Sequence, residues 1–136
     1  MNTDESRLER VNNITQQIIG AAFKVANTLG AGFLEKVYEN ALAHELRKSG
    51  LVVEPQKPID VVYDCVIVGQ YFADLVVENL VLIELKAAKA LDDIHMAQCL
   101  NHLRATGHPI ELLINFGTPR IEIKRIANPQ LRDSTL

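Results

Sequence analysis

From Ala73 to Lys86 the chain passes through two apolar stretches, Leu75 to Val77 and Leu80 to Leu85, with Asp74 opening the first and Glu84 set inside the second, followed at once by Leu85 and Lys86. Two strand-length apolar runs around Glu78-Asn79 read as a hairpin. No other segment constrains the fold as tightly, because burial makes a charged side chain costly unless something compensates it. Side chains alternate along a strand, so Leu82, Glu84 and Lys86 share one face while Val81, Ile83 and Leu85 share the other. In an antiparallel pair Asp74 lies opposite Glu84 only if the turn is centred on Asn79, as in a three-residue loop Glu78-Asn79-Leu80. A two-residue turn at Glu78-Asn79 would pair Asp74 with Ile83 and separate the acids. Asn79 tolerates the left-handed backbone that a three-residue loop needs.

Two carboxylates held across a hairpin repel unless one is protonated or a cation lies between them. Oxygen donors of this kind suit Mg²⁺ or Mn²⁺. Lys86, on the same face as Glu84, can orient a water or stabilise charge building on a phosphate. The competing reading of the same spacing is an edge hairpin whose Glu and Lys are solvated and guard against aggregation.

A coarse pass gives an α/β order. Leu8, Val11, Ile14, Ile18, Ala21, Ala22 and Val25 recur at helical spacing between about Ser6 and Leu29, and Gly30-Ala31-Gly32 breaks the run. A second helix is expected from Phe33 to Ser49, ended by Gly50. Strands are expected at Leu51 to Glu54, Ile59 to Val68, Tyr71 to Val77 and Val81 to Lys86, with a turn at Gly69-Gln70. A third helix from Leu91 to Thr106 carries His95, Gln98 and His102 on one stripe, opposite Met96, Leu100 and Leu103. Strands at Glu111 to Phe116 and Ile121 to Ile126 follow.

Gly32-Phe33-Leu34-Glu35-Lys36-Val37-Tyr38 reads G-x-x-E-x-x-Y, with Glu35 and Tyr38 on one helix face at i and i+3. Together with Asp74, the Glu84-x-Lys86 pair and Gln98, in this order, the chain resembles the GxxExxY proteins of the PD-(D/E)XK nuclease superfamily from about Ile14 to Arg125. The resemblance implies a restriction-endonuclease-like core, a mixed β-sheet with an antiparallel meander flanked by helices. It also implies metal-dependent hydrolysis of phosphodiester bonds in nucleic acid, with DNA the expected substrate over RNA. Glu35, Asp74, Glu84, Lys86 and Gln98 would be the catalytic set. Asp74, Glu84, the Leu85 carbonyl and Glu35 would hold Mg²⁺ or Mn²⁺, and Tyr38 and His102 would be further substrate contacts. Ala73 stands where the superfamily's proline is found, and His102 where related nucleases often carry tyrosine.

With 136 residues, 48% of them hydrophobic, the chain supports one core. Residues 1–127 are expected to form a single domain and 128–136 a loose tail. The polar start and short apolar runs predict a cytoplasmic protein without a membrane span. Cys65 and Cys99 lack a metal-ligand spacing and read as reduced packing residues. The charge of −3 sits awkwardly with phosphate binding. Its distribution is kinder: residues 1–85 hold 7 basic and 12 acidic groups, and residues 86–136 hold 7 and 5. Lys86, Lys89, Arg104, Arg120, Lys124 and Arg125 are candidates for a phosphate track. Two further readings stay open. One is a catalytically silent nucleic-acid-binding or regulatory module, and the other is a homodimer that supplies the binding surface so small a chain lacks.

Overall fold

The computed structural model describes residues 3–131. Its elements are α1 (Thr3–Leu29), α2 (Glu35–Lys48), β1 (Val53–Tyr63), β2 (Val66–Val77), β3 (Val81–Lys86), α3 (Asp93–Thr106), β4 (Ile110–Asn115) and β5 (Glu122–Ala127). The strands form one sheet in the order β1-β2-β3-β4-β5. Every neighbouring pair is antiparallel except β3 and β4. A parallel pair needs a crossover, and α3 supplies it. The expected mixed sheet with an antiparallel meander and flanking helices is therefore what the chain adopts.

The sheet has two different faces. On one, α1 and α2 pack Val11, Ile18, Leu42 and Leu46 against Leu75, Val77, Val81, Ile83 and Leu85 of the meander and Leu112 and Ile114 of β4. On the other, Cys99 and Leu103 of α3 cover Ala73, Val76, Leu82 and Leu113. Strand alternation sends Glu84 and Lys86 to the α3 face, because Leu82 is there. Glu111 joins them by the same rule, two residues before Leu113.

The turn that decides the site is the three-residue one. Val77 pairs with Val81, and Leu75 with Ile83. Glu78 and Asn79 both take positive φ, 53° each. A correction concerns the preceding hairpin. Its turn lies at Asp64-Cys65, where φ is 52° and 62°, and not at Gly69-Gln70. Two consecutive left-handed residues are what a two-residue hairpin turn with the twist of its strands requires. Gly69 instead pairs with Val61 beside a register shift, the usual place for a strand glycine next to a bulge. Pro55 and Pro58 are accommodated because β1 is an edge strand.

Two smaller expectations also change. Cys65 is exposed in its turn, and only Cys99 is a packing residue. Of the expected tail, residues 132–136 lie outside the described residues, but Asn128 is buried. Its side chain donates to the Leu103 and His108 carbonyls at 2.9 and 3.0 Å, closing the end of β5 onto α3. Among the described residues no helix is long and apolar enough to cross a membrane.

Candidate active site

The site forms where β2 and β3 part. Their paired register ends at Leu75 and Ile83. Beyond that point the Leu85 N–H donates to Asp74 Oδ2 at 2.8 Å. Continuing the register places Asp74 opposite Glu84, so the two acids meet as the odd loop demands. The opposite edge of β2 is distorted as well: Gln56 takes φ 51° and leaves the ladder between Pro55 and Lys57. Its amide nitrogen then bridges two carboxylates, donating to Glu39 Oε1 at 2.7 Å and to Asp74 Oδ1 at 3.3 Å. Glu39 is buried on α2 and also receives Lys36.

These contacts decide the electrostatics. Burial raises the Asp74 carboxyl above its ordinary range; the Leu85 N–H opposes this and the nearby Glu39 charge adds to it. Glu84 is raised further, to about 8, by burial first and then by the charges of Asp74 and Glu111, against the pull of His102 and Lys86. Lys86 Nζ stands 4.0 Å from Glu84 Oε1. Glu84 Oε2 is buried without a hydrogen-bond partner among the described residues. On the same side His102, from α3, brings Nδ1 to 3.2 Å from Glu111 Oε2. That contact raises the histidine above its ordinary value although burial opposes it. The Cys99 thiol lies close by, and burial with the Glu111 charge holds it protonated.

Glu84, Lys86, Gln98 and His102 line one cavity with Tyr71, Phe72 and Asn101, of about 240 Å³. Tyr71 and Asn101 also border a second concavity of about 430 Å³ that runs on to Arg104 and Asp60. The loop after Lys86 is fixed from behind. Buried Asn115 accepts from Ala88 N and donates to Ala88 O, both at 3.0 Å, and a Cβ on Gly117 would overlap the Ala88 backbone.

The structure thus brings together Asp74, Glu84, Leu85, Lys86, Gln98 and His102. Glu35 is exposed on the first turn of α2, in a separate groove with Ala87 and Gly117. The α2 carboxylate tied to Asp74 is Glu39, one helical turn on. Tyr38 is fully buried and cannot meet a substrate: it stacks on Phe116 at 4.6 Å, and its hydroxyl donates to Gly30 O and accepts from Phe33 N. Its work is to fasten the Gly30–Phe33 loop ahead of α2. His95 caps α3 with Asp92. The six-residue phosphate track is divided: Arg120 borders a groove with Phe23 and Asn27 of α1, and Arg125 bonds Asn12, away from Lys86 and Arg104.

Glu39, Gln56 and Glu111 were missed. A signal existed for two of them. Glu39 shares the Glu35 face of a helix at i+4, and Glu111 is an acid opening an otherwise apolar strand. Gln56 carried none, because its position depends on a local backbone distortion.

A five-stranded mixed sheet with one parallel crossover, helices on both faces and Asp74 meeting Glu84-x-Lys86 at the parting of two strands defines a restriction-endonuclease-like protein. The chain belongs to the PD-(D/E)XK nuclease superfamily, which it matches over residues 12–126. Proteins of this superfamily are in general nucleases, and they usually employ divalent metals. The crystal structure of SSO0001 has a similar fold, with a TM-score of 0.50 at 16% identity. The match covers 96% of this chain and 64% of the length of that one. No curated protein matches the chain.

Proposed function

We propose that the protein is a divalent-metal-dependent nuclease of the GxxExxY group that hydrolyses phosphodiester bonds, with DNA preferred to RNA. The observation that carries this reading is the buried, unpartnered Glu84 Oε2 beside Asp74 and Lys86 at the end of the β2–β3 ladder. Carboxylates crowded under partial burial are stabilised by a cation, so the donor set fits a metal. Asp74, Glu84 and the Leu85 carbonyl would hold Mg²⁺ or Mn²⁺. When bound, the ion supplies charge neutralisation at the phosphate and a more acidic water.

The remaining steps belong to the chain's own side chains. The Lys86 ammonium, at the cavity wall, orients the attacking water and stabilises negative charge as the phosphorus–oxygen bond breaks. Gln98, on the opposite wall, donates its amide to a phosphate oxygen. Gln56, held by Glu39, keeps the Asp74 carboxylate aimed between the strands. The concavity that continues past Tyr71 to Arg104 gives the strand a path, with an aromatic face for a base and a guanidinium for the next phosphate.

Cleavage of single-stranded, duplex and structured DNA and RNA with Mg²⁺ or Mn²⁺ tests the reading. Lys86→Ala should lower the rate by about 10²–10⁴-fold while metal still binds, the usual range for removing a group that assists proton transfer. Unchanged cutting by that variant refutes the mechanism. Binding of nucleic acid by the wild type with no cleavage in either metal would favour the silent module instead.

A further inference from the structure

Glu84 also meets two donors that the nuclease reading leaves unused, Glu111 and His102. Glu84 comes from β3, Glu111 from β4 and His102 from α3, and one donor atom of each lies within 4.8 Å of the others. Glu111 is 1% exposed and His102 7%. The contact between them occupies Glu111 Oε2 alone. Glu111 Oε1 and Glu84 Oε2 are both buried with no hydrogen-bond partner among the described residues. A simple His102–Glu111 ion pair explains neither oxygen, the Cys99 thiol against Glu111 is only a weak donor, and desolvated carboxylate oxygens without a strong donor are rare in folded proteins. A cation between the three side chains satisfies Glu111 Oε1 and shares Glu84 with the ion proposed above.

The ligand types indicate which cation. Bonds of about 2.0–2.2 Å put two ligands at most roughly 4.4 Å apart, so small rotamer adjustments close the site. Mg²⁺ prefers an octahedron of oxygens and keeps several waters, whereas imidazole suits later transition metals. We propose that Glu84, His102 and Glu111 form a transition-metal site, taking Mn²⁺, Co²⁺ or Zn²⁺ in preference to Mg²⁺, for which Asp74 is not a ligand. This goes beyond the nuclease reading, because binding here requires no turnover.

The test is metal binding. Mn²⁺, Co²⁺ and Mg²⁺ are titrated calorimetrically into the wild type and into Asp74→Asn, His102→Gln and Glu111→Gln, each checked for folding by circular dichroism. Pulsed electron paramagnetic resonance of Mn²⁺ on the wild type reads nitrogen coupling. One Co²⁺ per chain beyond any held with Asp74 is expected, with Mg²⁺ at least ~10-fold weaker there, and losses of ~10-fold or more at this site in His102→Gln and Glu111→Gln. Asp74→Asn should retain Co²⁺ within about 3-fold, since it removes no ligand of this site. Absence of nitrogen coupling in the wild type overturns the proposal even if a variant does not fold. So does Co²⁺ binding lost in Asp74→Asn and unchanged in His102→Gln, which would leave His102 and Glu111 as a buried ion pair only. Lack of nuclease activity alters none of these readouts, so the two proposals fail separately.

Discussion

Ile83 and Glu84 are neighbours in sequence and opposites in environment. Ile83 faces α1 and α2, in a cluster of 19 buried residues that is apolar throughout. Glu84 faces α3, where the apolar cluster has 8 members and stands beside Glu84, Lys86, His102 and Glu111. One face of the sheet stores stability, and the other gives up part of its packing to hold charges near one another. A single strand serves both because its side chains alternate. Most of the buried charge falls on the α3 layer, with Glu39 of α2 reaching the site through Gln56, while the apolar layer behind holds β2 and β3 in register.

That contrast can be broken by substitution. The largest effect is expected for Ile83→Ala, which should destabilise by about 2–5 kcal/mol in urea unfolding, as for a fully buried aliphatic residue. Glu84→Gln should move the other way, stabilising the metal-free protein by about 1–3 kcal/mol, because burial and the Asp74 and Glu111 charges disfavour the ionised form that a neutral amide lacks. Both substitutions acting in the same direction would erase the distinction between the faces. Tyr38→Phe should cost about 1–2 kcal/mol, since Gly30 O and Phe33 N lose their partner. Cleavage should survive this change at its normal rate once unfolding is allowed for.

The smallest effect is a pH dependence on the α3 side. Burial, then Lys57 and Arg7, hold His108 below its ordinary 6.5. The unfolded chain therefore binds this proton first as pH falls. His108 stabilises above 6.5 and loses that contribution on acidification through its folded value. His102 is raised, so its contribution has the opposite sign: it is present below 6.5 and lost as pH rises through the folded value. His108→Gln should flatten the fall in melting temperature between about pH 7 and 5, the window in which histidines titrate. An unaltered profile would show that His108 does not contribute.

Much of this was legible in the chain. β3 runs from Val81 to Lys86 as alternation and the apolar run require, and of the two turns the spacing allowed the chain takes the Asn79-centred one that sets Asp74 opposite Glu84. The helices were visible to within a few residues at their ends. The Asp64-Cys65 turn was not, because cysteine gives no sign of left-handed backbone while Gly69-Gln70 imitates a turn signal. Glu35 drew attention through its motif, yet the helix presents Glu39 to the Gln56 bridge.

The sequence by itself determined the alternation, and with it the face that Glu84 and Lys86 share, because side-chain direction along a strand is a local property. Tertiary structure alone decided that His102 and Glu111 converge on Glu84, and that Gln56 joins Glu39 to Asp74. Those meetings depend on a crossover helix and a backbone distortion bringing distant segments together, and no local pattern encodes the distance between them.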